Sequence, residues 1–522
     1  MSVNSIRHLL EIAAYEAPQK VGLTHGNERY TYAGLLEKVD QIAHYLSTLG
    51  LKKGSRIGIY SNKSCQQVIA ILAVLSTEYV FVPITRLLKP EQVKHIIEDS
   101  GIACIITDTV KISNIKAIDF TGKIISYEAS EEGDVSFEEI YKCYVPQTSS
   151  NVIGNDNASI TYSFGSSGNP KGIVIDHRAL TDGARIVSKY LKLEKEDIIS
   201  GILSFNLDYG LNQIFATLYK QATLAIHKFV LPQDFFTHLI DEEITVLPLM
   251  PIHITQMFDE DPHRIPQPEH FSNLRAITSS GGNITPLMMK NITTHFPDAE
   301  FYSMHGLTEA FRSAYLDPAQ IHIRPNSIGK AIPDVELYIM NEKGEACKPR
   351  EVGELIHRGA CIYKGYWNAP EETAQRFKSI AMLDKIIKPE GKLTDEIVIA
   401  SGDYVYADEE GYIYFVSRKD DMIKTQGFRV NPHEIESVVY ANIPQITECA
   451  VFSVPNEEIE EEIIMVYGGK EELARNEILF ELKKHLPNYM LPAQIVYRKN
   501  MPLKSLHGKQ IDKEVLRKEF LL

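Results

Sequence analysis

The first 330 residues of the chain alternate between short strand-like apolar runs and longer stretches of helical period. The helix-like SCQQVIAILAVLSTE lies between the strand-like SRIGIYS and YVFVPI, and QVKHIIEDS precedes IACIITD. A second group of strand-like segments, each beside a stretch of helical period, reads ISGILSF, ATLAIHK, ITVLPLM and LRAITSSGG. Strands that alternate with helices form βαβ units, whose strands are parallel. The pattern therefore predicts an α/β fold with two βαβ-type lobes.

Beyond residue 330 the pattern changes. Apolar and polar residues alternate around glycine-containing turns in VELYIMNEKGEACKPREVGELIHRG and GYIYFVSRKDD, which indicates antiparallel strands and a β-rich subdomain. The last hundred residues are typical of a small α+β domain. We therefore expect a large N-terminal domain over residues 1–419 and a small C-terminal domain over residues 420–522.

Composition limits the possible partners. With 522 residues, of which 44% are hydrophobic and 24% charged, the chain is large enough for several cores. The formal charge of −15 argues against general attraction to nucleic acid or anionic lipid, and no apolar stretch is long enough to span a bilayer. The six cysteines lack the paired spacing of zinc or redox sites, so we expect reduced thiols and a cytoplasmic location.

Residues 162–172 read YSFGSSGNPKG, a loop of glycine and hydroxyl side chains that follows the strand-like NASITYS. Glycines allow tight turns that expose backbone N–H groups, and such a nest suits a polyphosphate. The expected contributors are Ser163, Gly165, Ser166, Ser167, Gly168 and Lys171. The order differs from the common P-loop, in which lysine directly follows glycine. An ordinary surface turn is the alternative for this loop taken alone.

Four further segments follow in order: HGLTE at 305–309, SGD at 401–403, SRKDDMIKTQGFRVNPHEIE at 417–436 and PLKSLHGKQID at 502–512. Together with the loop they resemble the signatures of the adenylate-forming superfamily, which includes AMP-dependent acyl-CoA synthetases and amino-acid adenylation enzymes. The resemblance spans essentially the whole chain. It implies a ligase in which the carboxylate of an acid attacks the α-phosphate of ATP to form an acyl adenylate. The acyl group then passes to a thiol.

The resemblance also implies a role for individual residues. The 163–171 loop would surround the β- and γ-phosphates, with Thr308 near the α-phosphate and Glu309 holding Mg²⁺. Asp403 would accept the ribose hydroxyls, and Arg418 would donate to the same sugar. The remaining nucleotide-binding positions are Gly281, Gly282 and His305.

Three positions between residues 420 and 522 would serve the reaction itself. Lys509 would bridge the carboxylate and the α-phosphate as charge accumulates, which makes it the main catalytic candidate beside Thr308 and Glu309. Asp420 would be the hinge about which the small, mobile C-terminal domain rotates between the two half-reactions. The segment around Gly427 would line the thiol tunnel.

The chain departs from the superfamily pattern at three positions. Phe164 replaces a serine of the loop, His305 replaces a tyrosine, and Gln510 adds a residue after Gly508 and Lys509. A degenerate, nucleotide-binding regulatory protein is therefore an alternative function. A phosphoryl-transferring ATPase, which would release ADP and phosphate, is a second alternative that the loop alone supports.

Asp208 is the position that indicates which class of acid is activated. It falls where amino-acid-activating members of the superfamily carry an aspartate that pairs with the substrate's ammonium, which favours an amino acid. A simple acyl or aryl acid remains the alternative, in which case Asp208 caps the helix YGLNQIFATLY. The segments DYGLNQ and AFRSAYLDP also resemble a bacterial subgroup, the exosortase-associated AMP-forming acyl ligases. Because the length leaves no room for a carrier domain, we expect the acceptor to be a separate carrier protein or coenzyme A.

Overall fold

The structure is a computed structural model of the chain. It describes residues 3–86, 88, 90–142, 151–163, 170–258, 265–282, 284–418, 423–425, 428–456, 460–503 and 511–521. The chain divides into two compact units. The first comprises residues 1–337, 357–380 and 393–399, and the second comprises residues 338–356, 381–392 and 400–522.

The described helices are α1 Ile6–Glu16, α2 Tyr32–Ser47, α3 Cys65–Leu75, α4 Pro90–Ser100, α5 Thr109–Lys116, α6 Phe137–Ile140, α7 His177–Tyr190, α8 Asp208–Lys220, α9 Pro232–Asp241, α10 Pro251–Phe258, α11 Pro286–His295, α12 Pro370–Arg376, α13 Pro432–Asn442, α14 Arg475–Leu482 and α15 Lys513–Phe520. The described strands are β1 Val21–His25, β2 Glu28–Thr31, β3 Arg56–Tyr60, β4 Val80–Pro83, β5 Ile102–Thr107, β6 Lys123–Ser126, β7 Val135–Ser136, β8 Asn157–Ser163, β9 Lys171–Asp176, β10 Ile198–Gly201, β11 Thr223–Ile226, β12 Val246–Leu249, β13 Ala276–Ser279, β14 Glu300–His305, β15 Ala314–Leu316, β16 Ser327–Ala331, β17 Val335–Met340, β18 Gly353–Gly359, β19 Gly365–Tyr366, β20 Phe377–Ser379, β21 Ile397–Ala407, β22 Ile413–Arg418, β23 Ile423–Thr425, β24 Phe428–Val430, β25 Ile446–Asn456, β26 Glu460–Gly469 and β27 Gln494–Tyr497.

One sheet of the first unit has the strand order β19-β9-β8-β4-β3-β5-β6-β7. From β8 to β7 the neighbours are parallel, whereas β8 and β9 form an antiparallel pair. Helix α3, which joins β3 to β4, begins after Ser64, whose side chain accepts a hydrogen bond from the backbone N–H of Gln67. Nearly every residue of α3 is buried, as expected for a crossover helix of apolar composition.

The second sheet of the first unit continues β2-β1-β11-β10-β12-β13-β14-β15-β16. The strands from β1 to β14 are parallel along this path, and β15 and β16 reverse direction. The carboxyl ends of parallel strands lie at one edge of a sheet, which is where α/β proteins bind their ligands. In this sheet β10 leads to Asp208, β13 leads to Gly281, and β14 leads to the Thr308–Glu309 turn.

In the second unit, β21 and β22 form an antiparallel pair. A separate sheet has the order β24-β23-β26-β25, with β27 beside β26. Helices α13 and α14 contribute to its core, which includes Ile435, Val439, Val451, Met465 and Leu482. Such a helix-covered sheet is the α+β arrangement that the sequence predicts for this region.

The predicted α/β class, the two βαβ-type lobes and the antiparallel strands after residue 330 are confirmed. Strands β3 to β5 and β10 to β13 all coincide with predicted apolar runs. The domain boundary between residues 419 and 420 lies outside the described residues and stays a prediction.

Candidate active site

A tight turn follows β14 and carries two of the predicted residues. The backbone N–H of Leu307 donates to the carbonyl of Ala310 at 3.0 Å, and the N–H of Ala310 donates back to Leu307 at 3.3 Å. This reciprocal pairing of Leu307 and Ala310 fixes the backbone of Thr308 and Glu309, which lie between them. Thr308 is exposed at the tip, whereas Glu309 is 6% exposed.

The Glu309 carboxylate is held from a different part of the chain. The hydroxyl of Tyr366 on β19 donates a hydrogen bond to Oε1 of Glu309. The backbone N–H of Tyr363 donates to the main-chain carbonyl of Glu309 at 3.0 Å. Both ends of the residue are therefore anchored, and one oriented carboxylate is a suitable protein ligand for Mg²⁺, which takes its other ligands from phosphates and water.

Gly306 allows the chain to fold back on itself beside this turn. A Cβ atom at this position would lie 2.6 Å from the carbonyl oxygen of Phe311 and 3.1 Å from Nη1 of Arg312. The first distance is shorter than van der Waals contact permits. His305, one of the predicted nucleotide-binding residues, precedes Gly306 at the end of β14 and is half-buried.

The predicted glycines Gly281 and Gly282 follow β13 directly. Gly281 has φ +86°, in the left-handed region that glycine adopts without strain. Both glycines are exposed, whereas the preceding Ser280 is buried. Because β13 and β14 are parallel neighbours, the glycine turn and the Thr308–Glu309 turn leave the same edge of the sheet.

Asp208 is the first residue of α8. Its Oδ1 accepts a hydrogen bond from the backbone N–H of Tyr209 at 2.7 Å, so the carboxylate satisfies a donor of the first helical turn. Burial raises the pKa of the Asp208 carboxyl, and the positive charge of Arg312 lowers it. Asp208 also lines a small cavity with Asn212, Phe311 and other residues. Leu207 is the N-cap of α8 and Asp208 the first helical residue, so Asp208 is not the N-cap that the capping alternative describes, although its carboxylate bonds the first turn.

The predicted phosphate loop closes an antiparallel hairpin. Ser163 on β8 is opposite Lys171 on β9, so the loop joins strand to strand, unlike a P-loop, which joins a strand to a helix. Nζ of Lys171 lies 3.5 Å from Oε1 of Glu372. The side chain of Ser163 and the predicted loop positions Phe164, Gly165, Ser166, Ser167 and Gly168 lie outside the described residues.

The predicted ribose-binding pair lies in the second unit. Asp403 on β21 is opposite Arg418 on β22, and Nε of Arg418 lies 2.9 Å from Oδ1 of Asp403. Asp403 is fully buried, whereas the Arg418 side chain is 46% exposed. The backbone N–H of Asp403 donates to Oγ of Ser401 at 3.0 Å. The two predicted partners are thus brought together by strand register.

The remaining predicted residues Lys509, Asp420, Gly427 and Gln510 lie outside the described residues. Within the described ranges, no group of three or more His, Cys, Asp and Glu side chains is arranged to hold a metal ion. Helices long and apolar enough to cross a membrane are likewise absent from the ranges described.

Sequence reasoning missed three residues of this site, namely Tyr363, Tyr366 and Arg312. Arg312 lies three residues after the HGLTE segment, within the quoted AFRSAYLDP, so its position was a usable signal. The two tyrosines lie in IYKGYW, 54 and 57 residues after Glu309, and nothing in their spacing indicates that contact.

Known proteins match the chain over nearly its whole length. A family model described as AMP-binding enzyme matches residues 10–367. Tyrocidine synthase 1 of Brevibacillus parabrevis is 27% identical over 520 residues, which cover 98% of this chain and 45% of the synthase. The chain thus spans less than half the length of this curated relative.

Solved structures show the same fold. ATP-bound MatB from Rhodopseudomonas palustris has a TM-score of 0.86 at 22% identity, covering 99% of both chains. o-Succinylbenzoate CoA synthetase (MenE) from Bacillus subtilis has a TM-score of 0.82 at 20% identity in two complexes. The complex with the acyl-adenylate intermediate covers 98% of this chain and 97% of that chain, and the complex with ATP and magnesium ion covers 98% and 99%. Because the family model matches more than half of its residues, this chain belongs to the AMP-binding enzyme family.

Proposed function

We propose that this protein uses ATP to activate a carboxylic acid as an acyl adenylate and then transfers the acyl group to a thiol. One observation carries the proposal: the carboxyl ends of β10, β13 and β14 lead to Asp208, the Gly281–Gly282 turn and the Thr308–Glu309 turn. An acid site, a glycine turn and an anchored carboxylate therefore lie along one sheet edge. Membership of the AMP-binding enzyme family supports the same reaction.

In the first half-reaction a carboxylate oxygen attacks the α-phosphorus of ATP, the bond to the β-phosphate oxygen breaks, and pyrophosphate leaves. Thr308 is exposed at its turn and donates its hydroxyl to the α-phosphate. Glu309, fixed by Tyr366, holds Mg²⁺, which when bound neutralises phosphate charge. Lys509 stabilises the charge that develops on the reacting oxygens.

Other residues bind ATP. The hairpin loop surrounds the β- and γ-phosphates through Ser163, Gly165, Ser166, Ser167, Gly168 and Lys171. Glu372 lies beside Lys171 at a half-exposed position, and ATP would replace this carboxylate partner with a phosphate. Asp403 and Arg418 bind the ribose, and Gly281, Gly282 and His305 bind the base side of the nucleotide.

In the second half-reaction the thiol attacks the acyl carbon, a C–S bond forms, the acyl C–O bond breaks, and AMP leaves while the thiol proton passes to solvent. The thiol belongs to the phosphopantetheine of a carrier protein or to coenzyme A. Rotation of the C-terminal domain about Asp420 would bring the Gly427 segment to the thiol tunnel. An amino acid is the favoured substrate because Asp208 offers a carboxylate to its ammonium. A simple acyl or aryl acid is the second candidate, because Asp208 already bonds its own helix.

Acid-dependent ATP–pyrophosphate exchange tests the proposal. Amino acids, fatty acids and aryl acids are screened with Mg²⁺, and we expect exchange with one of these classes. The Glu309→Gln variant should lose Mg²⁺-dependent exchange because an amide lacks the charge that holds a hard dication. The exposed Glu131→Gln is the matched control. ATP binding without any exchange would favour the regulatory alternative, and release of ADP and phosphate would favour the ATPase alternative.

A further inference from the structure

Arg312 is a buried guanidinium beside the proposed acid site. It lies in the loop between β14 and β15 and is 3% exposed. Its centre lies 4.5 Å from the ring of Tyr209 and 4.6 Å from the ring of Phe311. The Tyr209 hydroxyl is paired with Oγ1 of Thr278 at 2.5 Å, so the ring against which the guanidinium packs is fixed. The cation is therefore positioned by aromatic contacts.

Only one nitrogen of the guanidinium is bonded within the described residues. Nη1 donates to the carbonyl of Phe311 at 3.3 Å and to Oγ of Ser280 at 3.4 Å. Nε and Nη2 are buried and find no acceptor among the residues the structure describes. Unpaired buried donors on a cation are costly, and proteins rarely retain them without a ligand or partner.

Two polar side chains near Arg312 could accept hydrogen bonds from Nε and Nη2. The Arg312 guanidinium acts on the Asp208 carboxyl through its charge and lies close enough to the Tyr190 hydroxyl to interact with it as a donor. Within the described residues neither group meets the geometry of a hydrogen bond from Nε or Nη2. The Tyr190 hydroxyl donates to Sδ of Met304 at 2.9 Å, and an Asp208 oxygen bonds the N–H of Tyr209. The edge formed by Nε and Nη2 thus matches the two oxygens of a carboxylate, which guanidinium binds in a fork.

The position of Arg312 connects this edge to the reaction. Ser280, which receives a bond from Nη1, directly precedes the Gly281–Gly282 turn. Gly306, where a Cβ atom would lie 3.1 Å from Nη1, precedes Leu307 and the Thr308–Glu309 turn. Phe311, whose ring the guanidinium contacts, and Asp208, on which its charge acts, line the small cavity at the start of α8, whereas Arg312 itself is not among the lining residues. The guanidinium therefore lies beside a residue that lines the proposed acid cavity and beside the residues that precede both turns.

We propose that the activated acid carries a second carboxylate, which Arg312 binds through Nε and Nη2. This inference rests on the proposed function and adds the substrate class. One carboxylate reacts with ATP, and the other neutralises the buried cation. Asp208 remains available to an α-ammonium, so amino dicarboxylates and plain dicarboxylates both fit the proposal.

Pairs of acids matched in length provide the test. The exchange assay compares glutarate with pentanoate and L-glutamate with L-norvaline, which differ only in the second carboxylate. A site built to pair with a buried group rejects the analogue that lacks it. We expect wild type to prefer the dicarboxylate of at least one pair by about 100-fold or more in kcat/KM. No preference, or preference for the monocarboxylates, would overturn the proposal.

Variants of Arg312 separate binding from a structural role. Arg312→Met keeps the length and apolar contacts of the side chain. We expect this variant to use the two acids of each pair with kcat/KM values within about threefold of each other. Arg312→Lys keeps the charge without the fork and should retain an intermediate preference. Equal losses for both acids of a pair would mean that Arg312 only supports the fold.

Thermal unfolding measures binding of the acid without catalytic turnover. It therefore distinguishes failure of the carboxylate site from failure of the proposed ligase function. With Mg²⁺ and a non-hydrolysable ATP analogue, glutarate or L-glutamate should raise the unfolding midpoint of wild type more than pentanoate or L-norvaline does. Arg312→Met should lose that difference. A selective shift without pyrophosphate exchange would support the carboxylate site and reject the ligase, whereas absence of any selective shift would reject the site.

Discussion

The hydroxyl of Tyr366 donates a hydrogen bond to Oε1 of Glu309, across 57 residues of sequence. Glu309 is buried, and its backbone carbonyl is also bonded, by the N–H of Tyr363. A buried carboxylate with one oxygen fixed presents its other oxygen in a defined direction. Tyr366 is therefore a positioning residue for the proposed magnesium ligand.

Replacing Tyr366 with Phe removes this bond and keeps the ring. Loss of a partner that orients a metal ligand weakens metal affinity by about tenfold or more. We expect the Mg²⁺ concentration for half-maximal pyrophosphate exchange to rise by about that factor. Tyr15→Phe, at a side chain that is 82% exposed, is the control. An unchanged Mg²⁺ dependence in Tyr366→Phe would remove Tyr366 from this role.

Asp403 and Arg418 predict a specific pattern of nucleotide selectivity. If Asp403 accepts the ribose hydroxyls, wild type should use ATP better than 2′- or 3′-deoxy-ATP by about tenfold or more in kcat/KM, and Asp403→Asn should lose most of that difference. Asp408→Asn, in the turn after β21, is the matched control. Retained discrimination in Asp403→Asn would show that the ribose binds elsewhere.

Lys509 is predicted to act on the transition state. The Lys509→Ala variant should form adenylate about 100-fold more slowly or worse, with ATP binding nearly intact, because its charge matters where charge develops in the reaction. Exchange rates and equilibrium dialysis with ATP measure the two effects. The exposed Lys499→Ala is the control. An exchange rate equal to that of wild type in Lys509→Ala would exclude Lys509 from catalysis. It would also indicate that the added Gln510 shifts the register of this segment.

His357 predicts how stability depends on pH. Its Nε2–H donates to the carbonyl of Ala360 at 2.9 Å, and its Nδ1 accepts from the Ser313 hydroxyl at 2.9 Å. Burial lowers the pKa of His357 to about 4, below the value of about 6.5 in an unfolded chain. Between these values the unfolded chain binds a proton that the folded chain does not, so stability falls as pH falls from about 6.5 to about 4.

The His357→Gln variant cannot take up this proton. Between pH 6.5 and 4.5 its free energy of unfolding should fall by about 2 kcal/mol less than that of wild type. The sequence contains a single tryptophan, Trp367, within the first unit, so its fluorescence follows unfolding of the unit that contains His357. The exposed His322→Gln is the control. Equal pH slopes in His357→Gln and wild type would contradict the assigned burial effect.

The sequence pattern predicted much of the fold because apolar runs and helical periods depend only on residues close together in the chain. The apolar run NASITYS became β8, and the buried helix α3 followed from its flanking strands. Motif order also predicted Asp403 and Arg418, which strand register then paired. The anchoring of Glu309 by Tyr366 and the free edge of Arg312 could not be predicted in this way. Both depend on how distant segments pack, which no periodicity in the chain encodes.

The central claim is that the carboxylate of the acid bonds to the α-phosphorus of ATP. An acid labelled with ¹⁸O in its carboxylate, incubated with ATP, Mg²⁺ and a thiol acceptor, tests this bond directly. The oxygen that bridges the acyl carbon and phosphorus stays with AMP when the thiol displaces it. The account predicts AMP that carries one ¹⁸O atom, read by mass spectrometry. Unlabelled AMP, or label in inorganic phosphate together with ADP, would contradict it.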